Sequence, residues 1–194
     1  TQVGHGGFGS TTNNYDADIS VTFCEIGDVT FTAGDGGDSY AQLGHGGADA
    51  RGTRAGDINL VGVDASTSAG RVMLTGGSGA SSAEDGDYAQ IGHGGRNGDG
   101  ATQGDIRVEA AGDVSLTGGT GHDAYVQIGH GGHGNNGNHG VAADEIRVIA
   151  DSLDFDGGSG SGAYAQLGNG GHSADGTFAG DVLVNLEPIN DLPT

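Results

Sequence analysis

The sequence predicts an all-β protein, a parallel β-solenoid (β-helix) of about 40 residues and three short strands per coil, with four to five coils. Three observations predict it. The phrase Tyr40-Ala-Gln-Leu-Gly-His-Gly-Gly returns at Tyr88, Tyr125 and Tyr164, at intervals of 48, 37 and 39 residues, and a copy lacking its Tyr opens the chain at Thr1. A unit that recurs while tolerating insertions is the mark of a repeat array. Between the phrases lie short runs in which apolar and polar residues alternate, the period of a half-buried strand. No segment carries a sustained helical period.

The unit beginning at Tyr88 shows each element. In its first run Ala89 and Ile91 share one face, with Tyr88 and Gln90 on the other. A polar loop over residues 96–104 follows, then a second run in which Ile106 and Val108 oppose Asp105, Arg107 and Glu109. In the third, Val114 and Leu116 oppose Asp113, Ser115 and Thr117. Two inward apolar residues per strand cannot bury a core alone. Parallel stacking in register, at about 4.8 Å per strand, turns them into continuous columns, of which Ile19, Ile58, Ile106, Ile146 and Val182 form one.

The solenoid is expected to cover residues 1–186, with units starting near 1, 40, 88, 125 and 164, and residues 187–194 to form a tail or inter-subunit linker. The longer stretches at 66–70 and 78–87 are expected to bulge outward, as insertions in repeats do. Solenoid ends normally carry polar caps, and the sequence suggests none. Open edges are templates for further strands, so head-to-tail stacking of copies is expected, with a segment of a longer repetitive chain as the alternative. The chain opens in mid-repeat, which removal of an upstream leader would explain.

Composition narrows the function. Gly contributes 44 of 194 residues and aromatics 5%, which would suggest disorder were the apolar residues not placed at matched positions in every unit. The formal charge is −20, from 26 acids against 6 Arg and no Lys, so a nucleic-acid partner is excluded for want of a basic footprint. No run approaches the roughly 20 apolar residues of a membrane helix. Cys24, alone in the chain and in an apolar stretch, reads as a small buried side chain.

Stacking converts the phrase into ladders. Gln2, Gln42, Gln90, Gln127 and Gln166 are expected to bond amide to amide, and Tyr40, Tyr88, Tyr125 and Tyr164 to form an aromatic column. Exposed, such a column could stack on pyranose faces. His5, His45, His93 and His130 hold one position, with Asn169 in the last copy. With His122, His133, His139 and His172 nearby, that column could take Zn²⁺ or Cu²⁺, although hydrogen bonding in turns accounts for it better. The turn 118–126 fits the Gly-Gly-x-Gly-x-Asp-x-U-x pattern of calcium-binding β-rolls and the turn 33–41 fits all but its first position, making Asp35, Asp38 and Asp123 candidate Ca²⁺ ligands. The pattern never repeats in tandem. No catalytic residue is assigned, because the acids follow the repeat and form no paired site, and no nucleophile elbow or phosphate loop occurs.

The phrase Tyr-Ala-Gln-Ile-Gly-His-Gly-Gly, followed by Gly-Asp-Ile-x-Val and Gly-Asp-Val-Ser-Leu-Thr-Gly-Gly, resembles the repeats of large bacterial surface proteins related to filamentous haemagglutinin. The resemblance spans residues 1 to about 186. It implies a secreted β-solenoid displayed at the cell surface or outside the cell, with a role in adhesion or biofilm matrix. The chain departs from that pattern in being short, strongly acidic and without a secretion module. The expected function is therefore an extracellular structural one, as subunit or segment of a self-assembling filament or adhesin fibre, without enzymatic activity and with a second copy as partner. A carbohydrate-binding or carbohydrate-cleaving β-helix using the Tyr column and loop acids is the alternative.

Overall fold

The computed structural model describes residues 1–11, 14–24, 27–63, 70–79 and 86–186. The centres of both insertions, 64–69 and 80–85, and the tail 187–194 lie outside them. All described strands pair in parallel with their counterparts one unit away. The first runs form a five-stranded sheet in the order β1 (Gln2–Val3), β5 (Tyr40–Leu43), β9 (Tyr88–Ile91), β12 (Val126–Ile128) and β15 (Ala165–Leu167). The second runs form another, β3 (Ile19–Cys24), β7 (Ile58–Val63), β10 (Ile106–Glu109), β13 (Glu145–Ala150) and β16 (Asp181–Leu186). The third sheet has four strands, β4 (Val29–Thr32), β8 (Val72–Thr75), β11 (Val114–Thr117) and β14 (Leu153–Asp156), and the short strands β2 (Tyr15–Asp16) and β6 (Arg54–Ala55) pair separately. This is a β-solenoid with the expected coil.

Register follows the apolar columns. Ile19 pairs with Ile58, Ile58 with Ile106, Ile106 with Ile146 and Ile146 with Val182. A one-residue slip would turn each column outward. The three sheets enclose a core of Leu43, Ile91, Ile128, Leu60, Val108, Leu74, Leu116 and their column neighbours. Ile106 is fully buried with an Ile on either side along its column, so Ile106→Ala leaves a cavity whose walls are pinned by stacking. A loss of about 3–4 kcal/mol is expected. Ile19→Ala in the first coil, where Ile19 has a strand partner on one side only, should cost less; urea midpoints of the two variants check this.

Two local expectations change. Cys24 is exposed, because it falls on the outward phase of β3. The first-run strand is buried on both faces rather than one: Tyr88, Ala89, Gln90 and Ile91 are all inaccessible. The cause is the segment after the phrase. Instead of a free loop, it stacks on its equivalents through parallel bridges such as Gly46 with Gly94, Arg51 with Asp99 and Thr102 with His139, and covers the Tyr and Gln face. A second buried cluster of Ala48, Tyr88 and Tyr125 results.

Candidate functional site

The repeated phrase is a device for joining coils. Gly92 has φ of +153°, and a Cβ there would lie 1.9 Å from the carbonyl oxygen of Gly129 in the coil above. Gly44 stands in the same relation to Gly92. The absent side chains admit the Gln amides. Nε2 of Gln42 donates to the carbonyls of Gly92 and Gly94 at 2.9 and 3.2 Å, and Nε2 of Gln90 to those of Gly129 and Gly131 at 2.9 and 3.2 Å. Gln2 and Gln127 do the same one coil earlier and later. The expected amide-to-amide ladder is thus replaced by bonds to backbone, since glycine carbonyls lie nearer than the next amide. In the last described coil Gln166 turns to Gly168 and Asn169 of its own turn.

The histidines point the other way. The backbone N–H groups of His5, His45 and His93 donate to Nδ1 of His45, His93 and His130 at 2.9, 2.9 and 3.0 Å. An accepting Nδ1 leaves the ring proton on Nε2, which donates to the carbonyls of Ala17, Gly56 and Gly104 at 2.8, 2.9 and 2.9 Å. Burial holds His93 well below the ordinary imidazole range and lowers His45 and His130 in the same sense. Both nitrogens of the His45, His93 and His130 rings are engaged, so these three offer no lone pair to a metal. Asn169 reproduces both bonds, its Oδ1 accepting from the N–H of His130 at 2.8 Å and its Nδ2 donating to the carbonyl of Ala179 at 2.7 Å.

Tyr40, Tyr88, Tyr125 and Tyr164 stack with centroids 5.1, 4.9 and 4.9 Å apart and planes within 6°. The column is internal, Tyr88 and Tyr125 being fully buried. No sugar ring can reach their faces. Tyr40 and Tyr164, at the two ends of the column, are half-buried.

A further column was not foreseen. Oδ1 of Asp18, Asp57 and Asp105 accepts the backbone N–H of Asp57, Asp105 and Glu145 in the coil above, at 2.9, 3.0 and 2.8 Å. The acid that opens the second run in the first three coils thereby satisfies the first N–H of the next, while the N–H of Asp181 donates to the Asp144 carbonyl. Its signal in the sequence is the acid at the head of each second run, preceded by Gly at Asp57, Asp105 and Asp181. Asp57, Asp105 and Glu145 also line, with Asn59, Arg107 and Arg147, an open groove of about 390 Å³ on the outer face.

The calcium candidates separate. Asp35 accepts a bond from the Ser78 hydroxyl at 2.6 Å. Asp38 is ion-paired with Arg96, which neutralises the carboxylate. Asp123 lies in a different setting. It occupies a left-handed conformation, φ 51°, and is 4% exposed. Its Oδ2 lies 2.9 Å from Nδ1 of His122 and 3.7 Å from Nε2 of His133, and its Oδ1 lies 3.9 Å from Nδ1 of His172. His133 and His172 follow the Gly-Gly of consecutive units, and their rings are 5.1 Å apart. Burial lowers His133 from the ordinary imidazole value, a shift the Asp123 carboxylate opposes. Among the described residues, Asp123, His133 and His172 are the group whose ligand atoms converge, all within 4.8 Å. His139, by contrast, stacks on Phe178 and is bonded through Nδ1 to the Thr102 hydroxyl at 2.8 Å.

Among the described residues no helix is long and apolar enough to cross a membrane. Comparison with models of protein families, with characterised proteins and with solved structures gives no match to this chain, so what is shown of its kinship is the fold itself, a β-solenoid.

Proposed function

We propose that the chain is a structural element outside the bacterial cell, a subunit or segment of an adhesin-like or matrix fibre in which coils stack end to end. The observation that carries this reading is the unfinished state of the outermost described coils. Val182, Val184 and Leu186 on β16, Phe155 on the edge strand β14 of the third sheet and Phe178 are exposed, as are Val3 and Phe8 in the first coil. Val3, Val182, Val184, Leu186 and Phe155 occupy columns whose members in the interior coils, such as Leu43, Ile106, Val108, Ala110 and Leu116, are buried. A further equivalent coil would cover them and complete both edges. In this reading the acidic exterior, with a formal charge of −20, keeps neighbouring fibres apart by repulsion.

Electron cryomicroscopy of the purified chain tests the assembly. Filaments with an axial repeat of about 20–25 Å, four to five strand spacings, are expected, and Val182→Asp with Val184→Asp should abolish them while leaving the interior coils folded. Single rods at every protein concentration, or filaments whose strands do not cross the axis, would overturn the proposal.

A further inference from the structure

We infer that Asp123, His133 and His172 form a binding site for a divalent transition-metal ion of borderline softness, Zn²⁺ or a close relative. One carboxylate and two imidazoles suit such ions and not Ca²⁺, which takes oxygen ligands. The present separations of 3.7 Å from His133 Nε2 and 3.9 Å from His172 Nδ1 to the two carboxylate oxygens exceed the roughly 3.3 Å edge of a tetrahedral zinc site by about half an ångström. Small ring rotations close that gap. Nδ1 of His133 is bonded to nothing among the described residues, so no hydrogen bond fixes the imidazole against turning.

Three features set this place apart from an incidental cluster. The Asp123 carboxylate is almost wholly buried, and three imidazoles, those of His122, His133 and His172, converge on its two oxygens. The chain has no Lys, and the nearby Arg96 is paired with Asp38. A buried carboxylate is costly unless its charge is matched, and a metal ion held between the imidazoles would match it directly. Gly162, one coil above Asp123, keeps space open beside the carboxylate: a Cβ there would sit 1.9 Å from Oδ1. His122, whose Nδ1 lies 2.9 Å from Oδ2, is placed to hold the carboxylate from outside, the usual supporting role around a metal. His172 is half exposed, which gives an ion its entry.

The ligands come from two coils, residues 123 and 133 from one and 172 from the next, so the ion would bolt adjacent coils together. The test is titration of chelator-treated full chain with Zn²⁺ by calorimetry, and with Co²⁺ as an optical probe. One ion per chain, visible absorption typical of a four-coordinate Co²⁺, and a thermal midpoint raised by Zn²⁺ but not by Ca²⁺ are expected. His172→Ala, at an exposed position where folding is safe, and Asp123→Asn should each weaken binding more than about tenfold, while His5→Ala, far along the rod, should leave it unchanged. Binding indifferent to His172→Ala and Asp123→Asn, absence of stoichiometric Zn²⁺ uptake at micromolar concentration, or Ca²⁺ binding as tightly as Zn²⁺ would each overturn the assignment.

Discussion

Gly92→Ala is expected to abolish folding, while Gly157→Ala leaves the chain as stable as before. At Gly92 the new Cβ would be driven to 1.9 Å from the Gly129 carbonyl oxygen and 2.5 Å from its carbon, and the obstacle is backbone, which cannot swing aside. Relief would require parting the coils there, which breaks the Gln90 bonds to Gly129 and Gly131 and the bond from the His93 N–H to His130. The φ of +153° adds strain for any L side chain. A loss of about 5 kcal/mol or more places this among the rare large effects of a single substitution. Gly157 has nothing within 4 Å of its Cβ position and is exposed, so its substitution should change stability by less than about 0.5 kcal/mol. Circular dichroism and urea unfolding of the two variants decide the matter, and a folded Gly92→Ala chain of native stability would contradict the stacking described above.

Acid should dismantle the solenoid from within. His93 and His130 are neutral in the folded chain, their pKa values pushed below the ordinary 6.5 chiefly by burial. The unfolded chain takes up protons as pH falls through 6.5, whereas the folded chain does not, so the stabilisation is complete above that value and is lost below it. Two such groups give a slope of about 3 kcal/mol per pH unit once the unfolded imidazoles are charged. His45 is lowered in the same sense and His139 to about 4, which steepens the loss. Carboxylate protonation, which would relieve the −20 charge, begins nearer pH 4 and comes too late to compensate. Urea midpoints measured between pH 7.5 and 5 should fall steeply, and a flat profile would contradict this account. His93→Asn should make the profile shallower, with a loss at neutral pH of about 1 kcal/mol or less, following the substitution the chain already carries at Asn169. His93→Ala should lose about 2–3 kcal/mol at neutral pH, since the His45 N–H and the Gly56 carbonyl are left buried without partners, and less as pH falls and the wild-type ring ceases to stabilise.

The columns were legible because side-chain alternation and repeat spacing are one-dimensional facts. Ile106 and Val108 announce an inward face, and the return of Gln at each unit announces register. What escaped was two-sided burial of the first strand, because the loop that covers Tyr88 and Gln90 is written in Gly, Asn and Asp, which read as open turn. The direction of the Gln amides also escaped, since their partners are glycine carbonyls that carry no letter of their own. Asp123 was visible as an acid in a turn, but its meeting with His133 and His172 depends on how far the turn and the following loop wind around the coil.

The joints between coils have a kinetic consequence. Each His reaches back to the coil before it, over sequence separations of 37 to 48 residues, and no joint spans more than one neighbour. The loop to be closed for each new layer is therefore the same size in a rod of four coils or of forty, and the entropy of closure does not grow with length. Every layer finds its template already built by the layer before it. Such a chain can be lengthened by duplicating units while the time needed to fold each added layer stays constant.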